Sequence, residues 1–342
     1  MVRRWMLRLS LLLPLLLLFT GCLNIGNDNQ GTNAAEDSYL FCFWNVENLF
    51  DDHADDRTNS ADREYDAWFA HDAKARKLKY DHIAEALVRM NNKRGPDVIA
   101  LAEVETPRAA ELLQENLNQR LEESLRYKYV LIKEAHGGRN INTAILTRLP
   151  VERDRTRLLG KRLRILEGHL KVNGHELVVI ASHWTSRVTD EGGEGRDKYA
   201  SQIYGEFRAM VKSNPKVDLL ICGDFNDPPD EESVVKHLHA TGDRDAVRSA
   251  AEPLLLDLMA EKSARDFGTH YHKGWFIFDQ IVVSPGLLDD EGWTCDPDSV
   301  KTMNEYTADA NGHPKPFGNE KHGERGYSDH FPVTVRLKVQ GN

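Results

Sequence analysis

The stretch Tyr39-Leu40-Phe41-Cys42-Phe43-Trp44-Asn45-Val46-Glu47 decides how this chain is read. Residues 39–44 are continuously apolar, the pattern of a strand buried on both faces. The run then breaks into Asn45 and Glu47. A buried ionised side chain is costly unless it is paired or holds a metal. The same break recurs along the chain. Glu103 and Glu105 follow Val98-Ile99-Ala100-Leu101-Ala102, and Ser182-His183-Trp184 follows Leu177-Val178-Val179-Ile180. Asp224 and Asn226 follow Leu219-Leu220-Ile221-Cys222-Gly223. Asp279 interrupts an apolar run from Phe276 to Val283, and Asp329-His330 precede Phe331-Pro332-Val333. One such residue is easily a satisfied structural acid. Six clusters at strand ends point to a site, because strand ends of an α/β sheet are where ligands gather.

Outward from these breaks, strands are expected at 39–46, 97–104, 129–133, 143–147, 168–172, 176–184, 218–225, 276–284 and 333–339. Between them Tyr80, Ile83, Ala84 and Leu87 share one helical face. So do Leu113, Leu117 and Leu121, and Ile203, Phe207, Met210 and Val211. Residues 51–77 and 294–326 are charged and aperiodic and read as long loops. No repeat or interdomain linker interrupts the pattern, so one α/β domain over 39–342 is the simplest account.

The N-terminus reads differently. Arg3, Arg4 and Arg8 precede an apolar run from Leu9 to Phe19, too short to span a bilayer and fit for a signal segment over 1–21. The sequence Leu18-Phe19-Thr20-Gly21-Cys22 resembles a bacterial lipobox, which makes Cys22 the lipidated first residue of the mature protein. Residues 22–38, rich in Asn, Gly, Asp and Gln, read as a flexible tether. The expectation is a monomer in the bacterial cell envelope, held to a membrane by its lipid and lying outside the cytoplasm. An ordinary signal peptide with an incidental cysteine is the plainer alternative. Cys42 and Cys222 sit in apolar runs and read as buried hydrophobes, with a disulfide between them left open. Removing the three signal arginines from 44 basic residues leaves 41 against 54 acidic ones, a charge of −13. That argues against a broad, sequence-blind grip on duplex nucleic acid and leaves room for a local basic patch.

Carboxylates and an amide oxygen, with few histidines and no suitable cysteine, make a hard oxygen site. It suits Mg²⁺, Mn²⁺ or Ca²⁺ better than zinc. Two histidines beside it offer general acid–base chemistry or charge stabilisation.

Five strings together resemble one known family. They are Trp44-Asn45-Val46-Glu47-Asn48-Leu49-Phe50-Asp51, Leu101-Ala102-Glu103-Val104-Glu105, Gly223-Asp224-Phe225-Asn226-Asp227, Phe278-Asp279-Gln280-Ile281 and Tyr327-Ser328-Asp329-His330-Phe331-Pro332-Val333. In this order they resemble the endonuclease/exonuclease/phosphatase superfamily, the deoxyribonuclease-I-like group. The resemblance implies a four-layer α/β/β/α sandwich with two mixed β-sheets face to face. It implies Glu103 as the principal metal carboxylate, supported by Asn45 with Asp329 near. Asp224 and Asn226 would position the attacking water, and His330, oriented by Asp279, would contact the scissile phosphate. His183 would stand nearer the leaving-group oxygen. Arg139 and Asn142 lie where many members carry Gly-Ile-Asp or Gly-Ile-Gly, and are carried as substrate-binding candidates. Arg187, with Arg196 and Lys198, follows His183 as a candidate phosphate-contacting loop; an exposed hinge is the plainer reading. Strand alternation would put Glu47 with Asn45 and Glu105 with Glu103 on one face; a solvated salt bridge is the alternative for both.

The implied activity is metal-dependent phosphodiester hydrolysis of nucleic acid or nucleotides. The alternatives are a phosphatase or sphingomyelinase-like phospholipase C, for which no exposed apolar hairpin is legible, and a non-catalytic binding lipoprotein. Gly326-Tyr327-Ser328-Asp329-His330 fails as a serine-hydrolase elbow, since His stands where its last glycine is required.

Overall fold

The structure is a computed structural model that describes residues 38–262 and 268–341. In chain order come β1 (Ser38–Leu49), α1 (Ser60–His71), α2 (Ala73–Lys93), β2 (Val98–Val104), α3 (Pro107–Asn118), β3 (Tyr129–Ile132) and β4 (Asn142–Thr147). Next are β5 (Arg157–Leu158), β6 (Ile165–Val172), β7 (His175–His183), α4 (Glu194–Ser213), β8 (Leu219–Asp224), β9 (Ala240–Thr241), α5 (Arg244–Ser249) and β10 (Leu255–Asp257). The hairpin β11 (His270–Tyr271) and β12 (Trp275–Phe276) leads to β13 (Asp279–Val283), β14 (Trp293–Thr302) and β15 (Val333–Val339).

One sheet has the order β14-β15-β1-β2-β4-β3, the other β5-β6-β7-β8-β13-β10-β9. Both are mixed: β1 runs parallel to β2 and β7 parallel to β8, while β15, β4 and β13 pair antiparallel with their neighbours. Phe41, Phe43, Val98 and Ala100 of the first sheet pack with Leu177, Val179, Leu220 and Cys222 of the second. On the outer face of the first sheet Leu40, Trp44, Ile99 and Leu101 meet Ile83, Leu87 and Leu113 of α2 and α3. Outside the second, Val178, Ile180, Leu219 and Ile221 meet Ile203 and Phe207 of α4. These are the four layers the resemblance implies. Strands covered on both faces explain the unbroken apolar runs.

The structure also corrects the sequence reading. Much of 51–77 is helical. Asn59 caps α1 by accepting from the N–H groups of Ala61 and Asp62, and Asp72 caps α2 through Lys74 and Ala75. The buried face of α1 carries Asp62 and Asp66 beside Trp68 and Phe69, so acids interrupt the apolar period. Residues 293–302 form β14, an edge strand whose charged residues, Pro297 and register shift hide its alternation. The run at 276–284 divides into β12 and β13, and Leu121 is buried beyond the end of α3. Ser38 opens β1 rather than closing the tether. Cys42 and Cys222 are buried free thiols, so the disulfide left open does not form. The signal segment 1–21, Cys22 and the tether to residue 37 lie outside the described residues. Among those described, no helix is long and apolar enough to cross a membrane.

Candidate active site

Three neighbouring strands of the second sheet deliver a row of polar side chains. Register sets His183 of β7 opposite Asp224 of β8, and Asp224 opposite Asp279 of β13. The first sheet delivers Asn45 and Glu103. The Asn45 amide bridges the sheets, donating from Nδ2 to Asp224 Oδ2 at 2.9 Å and to Glu103 Oε1 at 3.4 Å.

The strand ends here are bent. Glu103 has φ +64°, and Glu47 and Asn48 have φ +49° and +58°. The β1–β2 ladder slips between Asn45 and Leu49, and the β2–β4 ladder between Leu101 and Val104. Left-handed backbone is uncommon outside glycine and costs on the order of 1–3 kcal/mol per residue, so it persists where the surroundings enforce it. The bend turns Glu103 into the cleft, where Oε2 accepts the Asn48 N–H at 2.9 Å. It also defeats the alternation argument for Glu47 and Glu105. Both are buried in ties of their own rather than solvated or facing the site. Glu47 accepts the N–H groups of Phe317 at 2.6 Å and Gly318 at 2.9 Å and lies 3.8 Å from the fully buried Lys79. Glu105 pairs with Arg57 at 2.7 Å and accepts the Asp51 N–H at 2.9 Å.

His330 arrives on the turn before β15, stapled to β1. Trp44 Nε1 donates to the His330 carbonyl at 2.9 Å. Ser328 Oγ donates to Asn45 O at 2.6 Å and accepts the His330 N–H at 3.1 Å, a structural role for that serine. His330 Nδ1 lies 2.7 Å from Asp279 Oδ2, and its Nε2 is 3.8 Å from Asp224 Oδ2. Burial alone would depress the His330 pKa, but Asp279, Asp224 and Asp329 hold it well above the usual histidine range. His183 goes the other way. Burial, then Arg164, Arg139 and His330, push it well below that range. Its Nε2 lies 3.7 Å from Asp224 and 3.9 Å from Glu103. Burial raises both Asp224 and Asp279, and His330 opposes the rise in each. The two imidazoles are thus pushed in opposite directions, a division suited to acid and base roles.

These groups open into a cleft of about 680 Å³ lined by Glu103, His183, Asp224, Asn226, Asp329 and His330. Asn226, at φ +53°, donates from Nδ2 to Trp184 O at 3.3 Å. Arg139 also lines it, held by Asp62 at 2.7 Å and by Asn48. Asn142 does not: its Oδ1 accepts the Ala135 N–H and its Nδ2 donates to Glu105 O, so it ties the start of β4 to the segments at Ala135 and Glu105. Arg187 also stands apart, its guanidinium taken by Asp227 at 2.9 Å and Glu231 at 3.1 Å. Arg196 is buried against Asp227 at 2.7 Å. The sequence reading missed Arg162, Arg164 and His270, all of which line the cleft. The basic run Gly160-Lys161-Arg162-Leu163-Arg164 just before a strand was the available signal for the first two. His270 had none: the ring reaches His330, 4.5 Å between centroids, through the β11–β12 hairpin.

The donors fit a hard divalent cation. Ligand atoms of Asp224, Asp279 and His330 lie within 4.8 Å of one another, as do those of His270, Asp329 and His330. Glu103, Asp224 and Asp329 have no arginine or lysine within salt-bridge reach among the described residues. Carboxylates gathered without an arginine or lysine suit a hard metal ion.

A model of the Endonuclease/Exonuclease/phosphatase family matches residues 40–339. Among solved structures, an endonuclease/exonuclease/phosphatase family protein from Bacteroides thetaiotaomicron is 17% identical with a TM-score of 0.52, covering 89% of this chain and 98% of its own. Truncated Caenorhabditis elegans TDP2 is 17% identical with a TM-score of 0.51, covering 88% of this chain and 98% of its own. At these identities the likeness is one of fold. A search of curated proteins finds no match.

Proposed function

The chain belongs to the endonuclease/exonuclease/phosphatase family and is a phosphoester hydrolase; from that premise we propose that it cuts phosphodiesters of nucleic acid or nucleotides, dependent on a divalent metal and outside the cytoplasm. The observation that supports the metal dependence is that Glu103, Asp224 and Asp329 line one cleft, with the Asn45 amide bridging the first two and no arginine or lysine within salt-bridge reach among the described residues. Glu103, Asn45 and Asp329 would hold Mg²⁺ or Mn²⁺. The ion would supply Lewis-acid neutralisation of phosphate charge.

The chain's own groups divide the remaining work. Asp224, whose Oδ1 accepts the Asn226 N–H at 3.0 Å, is placed to take a proton from the attacking water. His330 presents Nε2 to the cleft while Asp279 fixes its other nitrogen, so a protonated ring stands ready to meet phosphate oxygen charge. The family resemblance sets His183 nearer the leaving-group oxygen, where a proton source would stand. Its depressed pKa supports the reverse division, with neutral His183 as an acceptor or orienting group and His330 as the cation.

The aromatic hairpin β11–β12 borders the cleft through His270 and bears on the phospholipase alternative. Tyr271 stacks on His313, Trp275 on Phe331 and Phe276 on Phe278. Of its three aromatic residues only Tyr271 is among the exposed large hydrophobics, at 39%. That is little apolar surface to offer a bilayer, so the nucleotide reading leads. The signal segment and Cys22 support a lipid anchor in the envelope. Cys22→Ala with cell fractionation tests that address, and release of the wild-type protein cut elsewhere refutes it.

The functional test is a panel of DNA, RNA, a generic phosphodiester, a phosphomonoester and phospholipid vesicles. Chelator should abolish phosphodiester cleavage and Mg²⁺ or Mn²⁺ restore it. Full activity in chelator overturns the metal reading, and cleavage of vesicles alone overturns the nucleotide reading.

A further inference from the structure

The acid floor of the cleft has cationic neighbours that no acid claims. Residues 160–164 lead into β6 and bring Arg162 and Arg164 to the cleft beside His183. Arg164 is fixed there by its backbone: its N–H donates to Tyr199 OH at 3.1 Å and its carbonyl accepts the His183 N–H at 3.1 Å. Its Nη2 donates to Trp184 O at 3.3 Å, and its Nε is buried without a partner. The Arg162 side chain is exposed and makes no hydrogen bond or ion pair among the described residues. The turn is nonetheless packed, since a Cβ on Gly137 would lie 2.4 Å from Arg162 O. Arg57, Arg139 and Arg196 each have a carboxylate close by. These two do not.

A buried donor left unmade costs about 1–3 kcal/mol. Two arginines without counter-ions, aimed into one wall of a phosphoester cleft, mark a place where the ligand brings the negative charge. We propose that Arg162 and Arg164 form a subsite for a second phosphate group of the substrate, beside the ester that is cut. The proposal rests on the phosphoesterase reading of the same cleft. Guanidinium groups grip phosphate through paired charge-assisted hydrogen bonds. A cleft of about 680 Å³ is in the range that encloses a small organic ligand rather than a lone anion. Thr185 and Ser186 line it as well. A free nucleotide with two separate phosphates and a polynucleotide backbone both present this chemistry.

Calorimetric titration with thymidine 5′-monophosphate and thymidine 3′,5′-bisphosphate in Mg²⁺ buffer reads the subsite directly. The second phosphate should tighten Kd about tenfold or more in the wild type. The advantage should fall to within about twofold in Arg162→Ala/Arg164→Ala, and Arg162→Ala alone, on an exposed turn, should remove part of it. Equal affinities in the wild type, an advantage that survives in the double variant, or failure to bind either ligand would overturn the proposal. Turnover of bis(p-nitrophenyl) phosphate, measured in parallel, separates the two readings. Its absence at full metal sinks the phosphoesterase reading, while the Kd ratio still reports on the subsite. Oligothymidylate binding tighter than the bisphosphate, with a salt slope set by more than two phosphates, identifies the polynucleotide as the source. Matching affinities identify the free nucleotide.

Discussion

Asn45 and Glu103 differ from Glu47 and Glu105 by two residues in sequence and by everything in surroundings. All four follow apolar runs, and strand alternation would treat each pair alike. The left-handed residues at Glu47, Asn48 and Glu103 separate them. Glu47 and Glu105 turn inward to cations of their own, Lys79 and Arg57. Glu103 turns into the cleft, where it meets amide donors and has no arginine or lysine within salt-bridge reach among the described residues. The difference teaches which acids to suspect. An acid with a private cation ties the fold together. An acid without one, in the company of others like it, is waiting for charge from outside.

The strongest test of this contrast exchanges the two kinds of acid. Glu103→Gln should cut kcat/KM on the order of 10³-fold or more while thermal unfolding moves little, because it would remove the proposed metal carboxylate and no ion pair with arginine or lysine. Glu105→Gln should show the opposite pattern. Comparable kinetic losses in both would erase the distinction.

Next in size is the Glu47–Lys79 pair. Lys79→Met leaves Glu47 buried without its cation and should destabilise the fold by about 3–5 kcal/mol in urea unfolding. Adding Glu47→Gln should restore part of that loss. If the single variant unfolds at the wild-type midpoint, the pair is not holding the loop at Phe317.

A gentler probe works within the site. Asp279→Asn removes the first of the carboxylates that raise His330. The rate should fall about tenfold, and the alkaline limb of kcat/KM should move to lower pH, since activity that needs protonated His330 is lost as pH rises through its pKa. An alkaline limb left in place would separate His330 from that titration.

The smallest effect belongs to an acid with neither cation nor cluster. Asp257 in β10 accepts the Met259 N–H at 2.8 Å, leaves Oδ2 without a partner, and is pushed up to about 7 by burial. Its folded-state pKa exceeds its unfolded one. The folded state therefore keeps the proton longer, and stability declines as pH rises from about 4 to 7. Asp257→Asn should flatten that decline in melting temperature, by on the order of a few degrees, without touching turnover. A pH profile of melting that Asp257→Asn leaves unchanged would place the titration elsewhere.

The strands and the acids that end them were legible because burial on both faces writes unbroken apolar runs, in which any polar residue stands out. Asn45, Glu103, His183, Asp224, Asn226, Asp279, Asp329 and His330 were all found this way, and the structure gathers them. What stayed hidden had other causes. In α1, buried acids stand where the apolar period should. In β14, an edge position tolerates charge on both faces. Asn142 and Arg187 share residue types with the groups that line the cleft, and only three-dimensional contact shows that their donors are already taken. Arg162 and Arg164 sit in a basic run that sequence shows, but nothing in a sequence records that a guanidinium has no acidic partner.

The pairing of β1 with β15 sets Ser38 against Lys338 and Phe43 against Val333. Its consequence is one of timing. A hairpin such as β6–β7 can zip as soon as it exists, but the cleft needs Asn45 from the first strand and His330 from the turn before the last. Closing so long a loop is slow, and contacts of this span dominate the folding rate. During refolding from denaturant, secondary structure should therefore recover well before turnover, and a chain halted ahead of β15 should be inert rather than partly active. Catalysis is the last property this molecule acquires.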